Sequence, residues 1–298
     1  MTKAAGNRVL SYLLRLAIVC CAAAALAAPN AAFAQGDIMQ GGLELVDPNV
    51  LRACVDPNNL PFSNEKGEGF ENKLAELLAE KLGKKLSYTF YPQATGFVRM
   101  TLGSHRCDVI MGYPQGDDLV QDTNPYYQTA YALVSKANGL LDGVETLADS
   151  RLKDKRLGIV AGTPPASYLV IDGLMPKAKP YPLVIDTRYD SSAAAMIKDI
   201  ASGEIDAGVL WGPMAGYYAL HADPPMRMTL LLKETGGPRL VYRITMGVRP
   251  SDQNWKRQLN LLIADNQPAI NKILLAYGVP LLDGNGQPMA GDPPTQKQ

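Results

Sequence analysis

The sequence is poor in the side chains on which most chemistry depends. His105 and His221 are its only histidines, and neither has a second histidine at metal-ligand spacing. His105, between Ser104 and Arg106, reads as a surface turn residue. No C-x-x-C-H is present, which removes a covalently attached c-type haem. No G-x-S-x-G and no phosphate loop occur. Basic and acidic residues balance at 29 each, so there is no electrostatic footprint for nucleic acid. Beyond the first 34 residues no apolar run reaches the length of a membrane span. Asp117-Asp118 is the one acidic pair that could face a metal, and adjacent acids in a loop are far more often solvated. Nothing here supports an enzyme, and no cofactor or metal is expected.

Residues 1–34 read as a cleavable export signal. Lys3 and Arg8 form a basic start, Leu10 to Ala28 is mostly apolar despite Arg15, and Ala32-Phe33-Ala34 is an A-x-A site. Small residues and Pro29 before that site weigh against an uncleaved anchor. Val19 before Cys20 weighs against a lipoprotein. Cleavage after Ala34 leaves 264 residues, with 26 basic against 29 acidic, a net charge of −3. That length can bury a good core and form two domains. Cys54 and Cys107 are then the only cysteines. An oxidising compartment favours one disulfide, with two buried thiols as the alternative.

One stretch stands out, 54-CVDPNNLPFSNEKGEGFENKLAELLAEKLG-83. It follows the short apolar run 51-LRACV-55 and ends in a helix whose Phe70, Leu74, Leu77, Leu78 and Leu82 share one face. Gly83 stops that helix, and 86-LSYTFYP-92 reads as the next strand. In such β-loop-α-β units the loop leaving the strand faces the ligand crevice. Asp56, Asn58 and Asn59 are also ordinary turn residues, but a Pro-Phe pair at 61–62 is harder to explain as a turn.

Similar units follow. A helix is expected over 95–103, strands over 107–113, 156–162, 183–190 and 205–213, and an extended segment over 125–136. Ser191-Ser192 caps a helix carrying Ala193, Met196, Ile197 and Ile200 on one face. The two halves echo each other: helix, glycine turn, Asp108, apolar strand, Gly-Tyr-Pro; then helix, Ser-Gly turn, Asp206, apolar strand, Trp-Gly-Pro. The run 244-ITMGVRP-250 reads as a return strand, followed by a helix from Trp255 to about Tyr277. The expected organisation is therefore an α/β protein of two lobes, each a mainly parallel sheet flanked by helices. The signal covers 1–34 and a flexible lead-in 35–48. The first lobe takes 49–136 plus 243–283, and the second 137–242. Crossovers fall near 134–137 and 241–246, and a disordered tail covers 284–298.

This order of elements resembles the type II periplasmic solute-binding proteins over about residues 49 to 283. The segments DPNNLPFSNEKGEGFENKLAELL, CDVIMGYP, PYY, AGTPPASYL, SGEIDAGVLWGPMAGYY and YRITMGVR are similar to the methanol-dehydrogenase-associated J proteins, XoxJ and MxaJ, and nearer the XoxJ side. The resemblance implies a non-catalytic periplasmic accessory of a quinoprotein (PQQ) methanol or alcohol dehydrogenase. The implied partner is that dehydrogenase, with its cytochrome c as a further partner.

The residues add a reading of their own. Amino-acid-binding relatives place an arginine after the third strand and backbone N–H groups at a Gly-Thr turn in the second lobe. Here 114-PQGDDLVQD-122 has no arginine, and Gly162-Thr163-Pro164-Pro165 lacks two N–H donors where an anion would sit. A small carboxylate ligand is disfavoured. The expected cleft or partner-binding residues are Asp56, Asn58, Asn59, Phe62, Tyr113, Gln115, Asp117, Asp118, Tyr126, Thr163 and Trp211, with about half of the aromatics in the core. The alternatives are the solute receptor of an ABC importer for a non-amino-acid ligand and, with no evident acid/base set, a catalytic member of the fold.

Overall fold

The computed structural model describes residues 44–289. The expected export signal 1–34 and residues 35–43 and 290–298 lie outside them. Twelve strands and six α-helices follow in chain order. The first half holds β1 (Val50–Val55), a small hairpin of β2 (Asn58–Asn59) and β3 (Ser63–Asn64), α1 (Phe70–Leu82), β4 (Lys85–Phe90), the single turn α2 (Phe97–Met100), β5 (Val109–Pro114), β6 (Gln121–Asp122) and β7 (Tyr127–Lys136). Then come β8 (Leu157–Val160), α3 (Pro164–Ile171), β9 (Lys179–Tyr181), α4 (Ser192–Ser202), β10 (Ala207–Trp211), α5 (Gly212–Leu220), β11 (Met226–Leu230), the return strand β12 (Val241–Val248) and α6 (Gln253–Ala276).

The main strand path runs β4-β1-β5-β12-β7-β10-β8-β9. Neighbours β1/β4, β1/β5, β8/β10 and β8/β9 are parallel, while β7 and β12 pair antiparallel with everything they touch. Two parallel sheets are thus joined through antiparallel strands. The hand-over happens inside β7: Tyr127 to Ala130 pair with β12, and Tyr131 to Ser135 pair with β10. The crossing therefore lies at 130–131, earlier than the expected 134–137. One ten-residue strand is long enough to serve both sheets, so no loop is needed.

The apolar faces build as the periodicity dictates. Phe70, Leu74 and Leu78 of α1 pack with Leu259, Ile263, Ile270 and Leu274 of α6 over β1, β5 and β12. In α4, Ala193, Met196, Ile197 and Ile200 are the buried face, and the Ser191 hydroxyl accepts the Ala194 N–H. The echo between halves is a shared device. Arg52 stands in β1 and pairs with Asp108, whose N–H donates to the Arg52 carbonyl at 2.7 Å. Arg156 stands before β8 and pairs with Asp206, whose N–H donates to the Arg156 carbonyl at 2.9 Å. Cys54 and Cys107 form a disulfide with Cα atoms 5.5 Å apart. Cys54 lies in β1 opposite Ile110, so Cys107, just before β5, falls within reach.

Three further expectations are corrected. The 95–103 helix is only one turn, α2. The run 183-LVIDTRYD-190 is not a strand: Pro182 precedes it, Leu183, Val184 and Tyr189 are exposed, and it forms bends and turns. The strand of that region is β9. The 205–213 strand stops at Trp211, because Gly212-Pro213 opens α5. The expected flexible lead-in 35–48 and disordered tail 284–298 lie largely outside the described residues, which include only 44–48 and 284–289 of them. The Glu44 carboxylate accepts the Asn254 and Trp255 N–H groups at the start of α6, and residues 281–289 close a turn in which Met289 N–H donates to the Leu281 carbonyl.

Candidate functional site

The loop between β1 and α1 is built by the helix it precedes. The first N–H groups of α1 have no partner inside the helix. Here Phe70 N–H donates to the Pro61 carbonyl and Glu71 N–H to the Phe62 carbonyl, both at 2.8 Å. The Asn72 side-chain oxygen accepts from the N–H groups of Asn64 and Gly69, at 3.0 and 3.1 Å. Gly69 is obligatory: a Cβ there would meet the Phe62 carbonyl oxygen at 2.1 Å. So the prolines, amides and glycines of this stretch fold a hairpin against the helix start. That leaves Asn58, Asn59 and Phe62 facing a cavity.

The cavity lies between the two sheets and measures about 840 Å³. From the first half it is lined by Asn58, Asn59, Phe62, Glu71, Gly112 and Tyr113, with Tyr127 at the start of β7. The second half contributes Thr163, Leu183, Ile185, Thr187, Tyr189 and Trp211. Tyr131, Trp211 and Tyr242 form an aromatic wall, with ring centroids 5.1 to 6.3 Å apart and edge-on geometry. Burial raises the Tyr131 hydroxyl to about 12, and burial beside Asp117 does the same to Tyr113. Both stay neutral donors at any ordinary pH. Among the described residues, Glu71 and Asp190 are the acids of the lining, and no lysine, arginine or histidine belongs to it.

The expected anion seat is closed. Thr163 caps α3, and Pro164 and Pro165 occupy its first positions. The Thr163 hydroxyl is spent on the Val160 carbonyl at 2.6 Å. In the loop after β5, the Gly116 N–H is already taken by the Asp122 carboxylate at 2.7 Å. The arrangement suits an apolar or uncharged group and offers nothing to balance a carboxylate.

The expected residues divide into four sets. Asn58, Asn59, Phe62, Tyr113, Thr163 and Trp211 are brought together on the cavity. Asp56 lies beneath it, buried, accepting the N–H groups of Asn58 and Gln93 at 2.9 and 2.5 Å and the Thr187 hydroxyl at 2.9 Å. Gln115, Asp117 and Asp118 are exposed and off the lining, because the chain turns outward after Pro114. Tyr126 is a core residue whose hydroxyl donates to the Met111 carbonyl at 2.7 Å, and its neighbour Tyr127 takes the cavity-facing position.

The residues not anticipated are Glu71, Tyr131, Tyr242 and the loop 183–190. That loop closes the cleft. Asn58 Nδ2 donates to the Thr187 and Arg188 carbonyls at 3.0 and 3.3 Å, and Thr187 meets Asp56. Glu71 had a readable signal, since an acid next to the buried Phe70 lies near the apolar face of α1. The loop had none, because its apolar letters mimic a strand. Among the described residues no helix is long and apolar enough to cross a membrane, and no group of three or more His, Cys, Asp or Glu side chains could hold a metal ion.

No protein-family model matches the chain. Among solved structures it is similar to the periplasmic binding protein XoxJ from Methylobacterium extorquens AM1, at 41% identity and a TM-score of 0.68, over 78% of this chain and 99% of that one. It is also similar to MxaJ from Methlophaga aminisulfidivorans MPT, at 26% identity and a TM-score of 0.66, over 78% of this chain and 100% of that one. Among curated sequences, protein MoxJ of Methylorubrum extorquens is 29% identical over 252 residues, 79% of this chain and 83% of that protein. The two-lobed α/β fold is theirs, and with 41% identity along almost the whole of XoxJ, this chain belongs to the XoxJ family of periplasmic binding proteins.

Proposed function

We propose that this protein is a periplasmic accessory of a quinoprotein methanol or alcohol dehydrogenase, and that it grips the dehydrogenase through its cleft and the rims of its two lobes. The family supports the setting: the relatives are binding proteins bearing the names XoxJ, MxaJ and MoxJ. The same relationship supports export to the periplasm and a role in binding rather than catalysis.

The observation that carries the reading is the cleft itself. It is large, it has an aromatic wall, and it has no cationic anchor. A free amino acid or organic acid would bury its carboxylate there without a partner. A polypeptide segment offers apolar side chains for Phe62, Tyr131 and Trp211, and peptide groups for Asn58 and Asn59. Exposed Leu183, Val184 and Tyr189 extend this surface onto the rim. Aromatic anchors of this kind dominate many protein interfaces.

The test is direct. Immobilised protein should retain a periplasmic quinoprotein dehydrogenase, with or without its cytochrome c. Titration calorimetry with the common amino acids and small organic acids should give no heat of binding. Micromolar binding of an amino acid, without retention of any dehydrogenase, would overturn the proposal.

A further inference from the structure

Glu71 is the most unusual side chain in the cavity. It sits in the first turn of α1, is only 4% exposed, and lines the cavity. Its backbone N–H is used by the Phe62 carbonyl, but among the described residues no hydrogen bond reaches its carboxyl group. The floor is shaped around it. Gly112 of β5 lies directly against it, and a Cβ on Gly112 would meet Glu71 Oε1 at 2.3 Å.

The groups facing it from every side are acidic or neutral. Asp56 stands beside it from the end of β1, already holding three donors of its own. Tyr126, just before β7, and Tyr127 at its start face it, and the Tyr126 hydroxyl is donated to the Met111 carbonyl. Among the described residues no lysine, arginine or histidine lines the cavity. A buried carboxylate without a cation or donors is among the costliest states a side chain can adopt. The protonated acid costs much less, and it carries one O–H donor and one carbonyl acceptor. Together these two match the C=O and N–H of an amide. Burial and the neighbouring Asp56 act in the same direction, raising the group to about 8.

We propose that Glu71 works as an uncharged carboxylic acid that donates its O–H to an amide carbonyl of a polypeptide segment seated in the cleft. This deepens the reading of the cleft as a polypeptide site and rests on it. Glu71 fixes the register of the segment, while the aromatic wall takes a neighbouring side chain. The cleft therefore selects neutral amide-bearing ligands over both carboxylates and ammonium ions.

Three probes share one aromatic body: tyramine, its neutral amide N-acetyltyramine, and the capped peptide acetyl-Ala-Tyr-Ala-amide. Calorimetry of the full chain should show the two amides binding and tyramine binding more weakly. The peptide should bind at least as tightly as N-acetyltyramine. Between about pH 6 and about pH 9 the amides should weaken about tenfold, as Glu71 loses its proton. Glu71→Gln keeps a donor and an acceptor, so it should bind at both pH values without that dependence. Glu71→Ala should lose binding at both. The proposal fails if neither amide binds, or if tyramine binds best with affinity rising with pH. It also fails if Glu71→Gln keeps the wild-type pH dependence. A cleft that takes N-acetyltyramine and rejects the peptide overturns the polypeptide occupant. In each of these outcomes retention of the dehydrogenase is unaffected as a separate readout, so failure here is distinguishable from failure of the accessory role.

Discussion

The hydroxyl of Thr187 lies 2.9 Å from both carboxylate oxygens of Asp56. The two residues come from opposite halves of the molecule, and both are buried. Asn58 adds bonds to the Thr187 and Arg188 carbonyls from the same loop. The 183–190 loop thereby latches onto the β1–α1 loop and holds the cleft closed.

Cutting this latch should open the protein. In Thr187→Val, Asp56 loses its one donor from the other half while the intralobe bonds from Asn58 and Gln93 remain. Stability should fall by about 1–3 kcal/mol, the usual cost of a buried group left short of a partner. Small-angle scattering should show a larger radius of gyration, and larger still when Asn58→Ala is added. An unchanged radius in the double variant would mean that the latch does not hold the lobes.

Glu71 predicts a pH dependence of stability. Its carboxyl is raised to about 8 in the fold, against an ordinary value near 4.5 in the unfolded chain. Between those values the folded state holds the extra proton, so stability falls as pH rises through this window and levels off above it. Glu71→Gln removes the dependence. Relative to wild type, the variant should gain roughly 2–4 kcal/mol at about pH 8 and little at about pH 4. Denaturant melts of both proteins across that range measure it, and equal offsets at all pH values would contradict it.

The Cys54–Cys107 bridge spans 53 residues and staples β1 to the approach to β5. Replacing both cysteines by alanine should cost about 2–4 kcal/mol. Mass spectrometry of non-reduced, alkylated protein checks the bond itself, and two alkylated cysteines would refute it.

Much of the fold was legible because it rests on periodicity and punctuation. Phe70, Leu74 and Leu78 at helical spacing, with Gly83 as a stop, located α1; Ser191, Ile197 and Gly203 did the same for α4. The cleft was legible only in part. Asn58, Phe62 and Trp211 could be placed because they lie at or just beyond strand ends, where a doubly wound sheet puts its crevice. Tyr131 and Tyr242 could not, since alternating residues in a long strand look the same whether they face a core or a cavity. The 183–190 loop was misread as a strand because Leu183, Val184 and Ile185 carry β-forming side chains. Its real conformation comes from Pro182 and from long-range bonds to Asp56 and Asn58, which no local pattern encodes. Gln115, Asp117 and Asp118 were placed by analogy with the arginine position of other binding proteins, and here that loop turns to solvent.

The most direct measurement of the central claim is the affinity of the purified protein for a periplasmic quinoprotein methanol dehydrogenase, by surface plasmon resonance, for wild type, Phe62→Ala and Trp211→Ala. Each variant is first matched to wild type in thermal stability. The cleft-grip account predicts measurable wild-type binding that weakens at least about tenfold in each variant, as expected for an aromatic anchor worth more than ~1.4 kcal/mol. Wild-type affinity retained in both variants would contradict it and place the contact away from the cleft.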